Sequence, residues 1–168
     1  MIGFIIPVVL GIAFVTWFIL EGIYEKEVWK NSAELFVPTL GTKMVRAGGY
    51  KGGRGGYAAD GHFQGWEIHI FGKKLGFLKG RFGVCSVFVV LKQYRYKSKR
   101  LGGSGKLPSD GKVYFIRQNQ LWMSQKEIKT INQSRDIAQA VKVGLEGLCR
   151  VAQKVDSGEI NCDSLVES

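Results

Sequence analysis

The stretch from Ile2 to Leu20, IGFIIPVVLGIAFVTWFIL, contains no charged side chain. Nothing else in the chain limits its folding as strongly. As a helix rising about 1.5 Å per residue it would span roughly 28 Å, close to the hydrocarbon thickness of a bilayer. A helix is the form expected there, because lipid offers no partner to open backbone groups. Pro7 removes one internal hydrogen bond, a loss membrane helices tolerate. Trp17 and Phe18, followed by Tyr24 and Trp29, are spaced to sit at the exit interface as an aromatic belt. A cleaved signal would need a basic n-region and a small-residue cleavage site, and Trp17-Phe18-Ile19-Leu20-Glu21 supplies neither. A surface helix of a globular protein would show a polar face, whereas only Thr16 is polar here. Residues 1–23 therefore read as a transmembrane helix.

Orientation follows from the flanks. No Lys or Arg precedes the helix, while Lys26, Lys30, Lys43 and Arg46 follow it. The positive-inside rule puts the N-terminus outside and the rest in the cytoplasm, a single-pass protein of the cell inner membrane. Cys85, Cys149 and Cys162 agree with a reducing compartment. Their number is odd and no CxxC spacing occurs, which argues against a disulfide framework or a zinc site.

Beyond the helix the chain divides into a juxtamembrane segment (24–46), a domain (47–155) and an acidic tail (156–168). The glycine-rich run AGGYKGGRGGY at 47–57 reads as a loop. Residues 62–71 alternate as a strand with His62, Gln64, Trp66, Ile68 and Ile70 on one face, which puts His62 and His69 on opposite faces. Residues 72–76, GKKLG, read as a turn. VCSVFVVL at 84–91 is β-branched on both faces, as in a central strand. Residues 112–117 and 120–124 read as further strands or a hairpin, giving four to six strands in all. From Ser134, taken as an N-cap with Asp136 in the first turn, the period becomes helical. Ile137, Ala140, Val141, Gly144, Leu145, Leu148, Ala152 and Val155 share one stripe, and Gly158 is a plausible stop. The fold class is thus α+β: one N-terminal transmembrane helix, then a small antiparallel β-sheet domain with a C-terminal amphipathic helix.

Motifs for chemistry are weak. Gly102-Gly-Ser-Gly-Lys106 suggests a phosphate loop, but Arg100 stands where the first glycine belongs and Leu107 where the magnesium-binding hydroxyl belongs. Gly53-Arg-Gly55-Gly-Tyr-Ala58 matches a dinucleotide fingerprint loosely, without the strand and helix it needs. His62, His69 and Glu67 are the residues around which a catalytic site would have to assemble in three dimensions. No serine lies in a nucleophile-elbow context. No cofactor or metal is indicated, and the chain reads as a non-enzyme.

Charge is the stronger signal. Residues 61–106 hold ten basic residues against Glu67 alone, whereas residues 107–168 hold eight of each sign. The candidate contact residues for an anionic partner or lipid are Lys73, Lys74, Lys79, Arg81, Lys92, Arg95, Lys97, Lys99 and Arg100, interleaved with Tyr94 and Tyr96. Near a cytoplasmic leaflet each such cation contributes on the order of 1 kcal/mol. The expected role is a non-catalytic accessory or structural subunit of a larger membrane protein complex, for example photosynthetic or respiratory. Its basic domain would cap partner subunits and anionic lipid headgroups. In layout alone the chain is similar to single-helix cytoplasmic capping subunits such as the H subunit of photosynthetic reaction centres. No motif carries that likeness, so it implies no residue roles. The alternative is a membrane-tethered nucleic-acid or phosphoprotein binding protein; nucleic acid is disfavoured because binding it needs no anchor.

Overall fold

The computed structural model describes residues 6–20, 22–23, 40–41, 43–46, 57–75, 81–97, 103–162 and 165, of which 43–46, 57–58, 73–75 and 81–82 are described at the level of the backbone. Residues 6–20 form helix α1, and every one of them is exposed. At about 1.5 Å per residue this length rises roughly 22 Å. Among the described residues no helix is long and apolar enough to cross a membrane. Of the expected transmembrane helix over residues 1–23, the structure shows the helix over residues 6–20 and does not show a span.

The domain is α+β, with seven strands in one antiparallel sheet: β1 (Lys43–Arg46), β2 (Tyr57–Phe63), β3 (Trp66–Leu75), β4 (Arg81–Val90), β5 (Gly105–Ser109), β6 (Lys112–Arg117) and β7 (Gln120–Met123). The spatial order is β1-β2-β3-β4-β7-β6-β5, so the β-branched strand β4 is central, as its composition requires. Two helices follow, α2 (Gln125–Gln133) and α3 (Ile137–Asp156).

Four expectations are corrected. The alternating run 62–71 is not one strand. Gln64 (φ 50°) and Gly65 (φ 79°) make a two-residue turn with both residues at positive φ, joining β2 to β3. Residues 72–75 are not a turn but the end of β3, displaced by a bulge between Phe71 and Gly72. Ser134 is the C-cap of α2, and Asp136 is the N-cap of α3, accepting from the Gln139 amide. Finally, the sheet has seven described strands where four to six were expected, since the hairpin and β1 add to the count.

The core lies between one sheet face and α3. Ile68, Ile70, Val87, Val89, Leu121, Ile116 and Leu107 from the sheet meet Val141, Leu145, Leu148, Val151 and Ala152 from the helix, all buried. Each such aliphatic side chain contributes about 1.5–3 kcal/mol on burial. Gly144 allows α3 to approach closely, since a Cβ there would stand 2.9 Å from Met123 Cε. The helix ends at Ser157, with Gly158 at φ 76°, as its position suggested. The chain beyond does not leave the domain at once: Cys162 is buried, and Ile160 and Leu165 pack against the core.

Candidate functional site

The charged segment resolves into a shaped loop. After β4 the chain runs through residues 91–97, where Lys92, Arg95 and Lys97 are exposed. What orders this loop is Asp156, the last residue of α3. The amide of Lys92 donates to its Oδ2 at 2.8 Å, and the amides of Gln93 and Tyr94 donate to its Oδ1 at 3.2 and 2.9 Å. One carboxylate thus fills an anion nest of three consecutive backbone N–H groups. Leu91 and Tyr96 donate their amides to Asn119 and Gln118 in the β6–β7 turn, both at 2.7 Å. The ring of Tyr96 is buried against Gly105, where a Cβ would stand 2.9 Å from Tyr96 Cζ. The Lys92 ammonium lies 4.8 Å from the Trp66 ring centroid, within cation–π range. Tyr96 is therefore an anchor for the loop, and Asp156, counted by charge as the start of an acidic tail, is its keystone.

The other expected contact residues divide. Lys73 and Lys74 lie in β3, paired with Gly83 and Phe82, and Arg81 opens β4 opposite Leu75. Lys79, Lys99 and Arg100 lie outside the described residues, as do Tyr24 and Trp29 and the glycine run at 47–56. Trp17 and Phe18 are exposed on α1, where the Phe14 and Phe18 rings lie 6.5 Å apart. Gly105 and Lys106 sit in β5, not at a helix start, so the glycine-lysine run has no phosphate-loop geometry.

The face of the sheet turned away from α3 carries a pattern that linear reading missed. Because of the Gln64-Gly65 turn, His62 pairs with Glu67 and His69 with Asp60. Both histidines therefore stand on the same face, contrary to the strand-parity expectation. His69 Nδ1 is 2.8 Å from Asp60 Oδ1 and its Nε2 is 3.1 Å from Glu67 Oε1. Register then continues the row: His69 opposite Phe88, Phe88 opposite Trp122, Trp122 opposite Phe115, Phe115 opposite Lys106. One side chain from each of six strands thus forms a line that is acidic at β2, aromatic across β3, β4, β7 and β6, and basic at β5. The rings touch: His69–Phe88 centroids are 4.7 Å apart, Phe88–Trp122 4.2 Å and Phe71–Phe88 5.9 Å. The signal for this row was the turn itself, an aromatic-Gln-Gly-aromatic run that switches parity.

The cysteine on α3 has no access to chemistry. Cys149 is buried, its Sγ lies 3.8 Å from the Phe63 carbonyl oxygen, and desolvation pushes its pKa from 9.0 up to about 12. Among the described residues no three His, Cys, Asp or Glu side chains are arranged to hold a metal ion. Comparison with family models, with curated proteins and with solved structures returns no match for this chain.

Proposed function

We propose that this protein is a non-catalytic accessory subunit of a membrane protein complex, held by α1 in the bilayer, with its β-domain on the cytoplasmic side. The observation that carries this reading is the state of α1. Its large apolar residues are exposed, Phe14 at 69%, Leu10 and Ile12 at 63%, while the domain completes a core without them. An apolar helix with no polar face needs either lipid or other helices around it. Gly11 and Ala13 on α1 are small residues of the kind that let membrane helices pack closely.

The domain's part is to present Lys92, Arg95 and Lys97 from the loop that Asp156 holds. Their partners in this reading are acidic surfaces of neighbouring subunits and anionic headgroups. A fixed loop loses less entropy on binding than a mobile one, which favours a structural contact. The test is purification of the tagged full chain from its native membrane in mild detergent. Stoichiometric co-purifying subunits are expected, and their loss in a Lys92→Gln, Arg95→Gln, Lys97→Gln triple variant ties them to the loop. A chain extracted by alkaline carbonate, or recovered as a clean monomer, overturns the proposal.

A further inference from the structure

The sheet face turned away from α3 is apolar and open. Phe71, Val90, Val113, Phe115 and Trp122 stand on it half-buried, and none of them belongs to the core between sheet and helix. On the core face, by contrast, Ile68, Ile70, Val87, Val89, Ile116 and Leu121 have no exposure at all. Helices α2 and α3 put their buried residues into that core, on the other side of the sheet. Phe88 is buried at the centre of the open face, between the rings of His69 and Trp122. A contiguous apolar patch of this kind marks an interaction surface.

The charges around the rings say what fits it. The row already traced runs Asp60, His69, Phe88, Trp122, Phe115, Lys106. Two residues along the same strands, a second row runs Glu67, Val90, Gln120, Arg117. Both rows have their midpoint between β4 and β7. Asp60 on β2 and Lys106 on β5 are equally far from that midpoint on opposite sides, and so are Glu67 on β3 and Arg117 on β6. The carboxylates remain 40% and 53% exposed while engaging His69. Lys106 and Arg117 are exposed and take part in no ion pair among the described residues.

We infer that this face pairs with the same face of a second copy, about a two-fold axis running along the strands between β4 and β7. Such an axis reverses the strand order and keeps the rows level. It lays Phe88 on Trp122 of the second copy, His69 on Phe115, Asp60 on Lys106 and Glu67 on Arg117, and each contact occurs twice. The two sheets stack as an aligned sandwich about 10 Å apart, with rings at the centre and charge pairs at the rim. Charge also selects the register. An axis through β4 would set Lys43 of one edge strand over Lys106 of the other, whereas the axis between β4 and β7 leaves β1 outside the overlap. Six strands about 4.8 Å apart and three rows about 6.8 Å apart make a face of roughly 30 by 20 Å. Covering it on both copies buries about 1,200 Å², the lower end of a specific interface. The inference concerns the domain alone and does not depend on α1 lying in a bilayer.

Sedimentation of the full chain in maltoside detergent reads the pairing. A dimer with a Kd on the order of micromolar is expected. Glu67→Arg and Arg117→Glu should each weaken it about ten-fold or more, since each sets like charges opposite one another twice. Mixed in equal amounts, the two variants should return to within about three-fold of wild type, because their heterodimer pairs opposite charges at both places. Lys129→Gln, an exposed position on α2, should change nothing. Carbodiimide coupling gives a second reading on the unaltered chain. Asp60 and Lys106 stand about 24 Å apart in one chain, too far to couple, so an amide between them joins two copies. In a mixture of isotope-labelled and unlabelled chain, that amide is expected to join the two. A chain still monomeric at about 100 μM overturns the pairing and gives the face to a different protein. A dimer indifferent to both charge reversals, not restored by mixing, or without the Asp60–Lys106 amide overturns this interface.

Discussion

Removing the Asp156 carboxylate pits two effects of opposite sign against each other. Asp156 is the C-terminal residue of α3, where a negative charge opposes the helix dipole. On that ground alone, Asp156→Ala would stabilise the domain by about 0.3–1 kcal/mol. Against this stand the three amides of Lys92, Gln93 and Tyr94 that the carboxylate accepts. At about 0.5–1.5 kcal/mol net for each bond, and with two of the three open to solvent, their loss costs about 2–3 kcal/mol. The hydrogen bonds win, and Asp156→Ala should destabilise by about 2 kcal/mol. For a domain of this size that corresponds to a fall of roughly 6–8 °C in Tm. Asp156→Asn keeps one acceptor oxygen for Gln93 and Tyr94 and should lose about half as much. Denaturation of the full chain in detergent gives the energies, and amide hydrogen exchange gives the place: protection should fall at residues 92–94 and hold in β4. A stabilised Asp156→Ala variant, or unchanged exchange at those three amides, would refute the account of the loop.

Three further outcomes test the packing. Asn132 of α2 both donates to the Val84 carbonyl and accepts from the Val84 amide, each at 2.7 Å, imitating a strand along the part of β4 that β7 does not reach. Asn132→Asp leaves an acceptor facing that carbonyl and should cost about 2–3 kcal/mol, read by urea denaturation. A Cβ at Gly105 would meet the rigid Tyr96 ring at 2.9–3.0 Å, so Gly105→Ala should cost about 1–3 kcal/mol; Gly144→Ala meets the mobile end of Met123 and should stay within about 1 kcal/mol of wild type. Cys149 and Tyr114 both have pKa values raised chiefly by desolvation. The unfolded chain then loses the Cys149 proton first, so stability should be intact below pH 9 and fall between 9 and about 12, by up to about 1.4 kcal/mol per unit; a flat profile in a denaturant series over that range contradicts the burial of Cys149.

How much of this was legible depends on what carried it. β4 and α3 announce themselves through patterns long enough to be unambiguous, β-branched on two faces and apolar on one stripe. The α2 helix is nine residues long and buries only Ile128 and Ile131, too few for a stripe. Its signal was chemical: Ser124 accepts from the Glu127 amide, the Ser-x-x-Glu spacing of a capping box. The β2–β3 turn was hidden because Gln at positive φ is uncommon outside glycine and asparagine positions. That one turn decided which face every side chain of β2 occupies, and with it the shared placement of His62 and His69. Asp156 was missed for another reason. Its role depends on amides more than sixty residues away in sequence, and no local pattern encodes that meeting.

The line of side chains from Asp60 to Lys106 crosses five strand spacings, roughly 24 Å at about 4.8 Å each. That is more than twice the distance over which salt screens a charge in the cell. The two ends of the sheet therefore sense a nearby charged surface independently of each other. Facing a negative plane, Lys106 is drawn in at the β5 edge, whereas at the other end Lys43 of the edge strand β1 stands opposite Asp60 and offsets its repulsion. The pull is therefore strongest at the β5 edge, which leads the domain's approach before any contact forms.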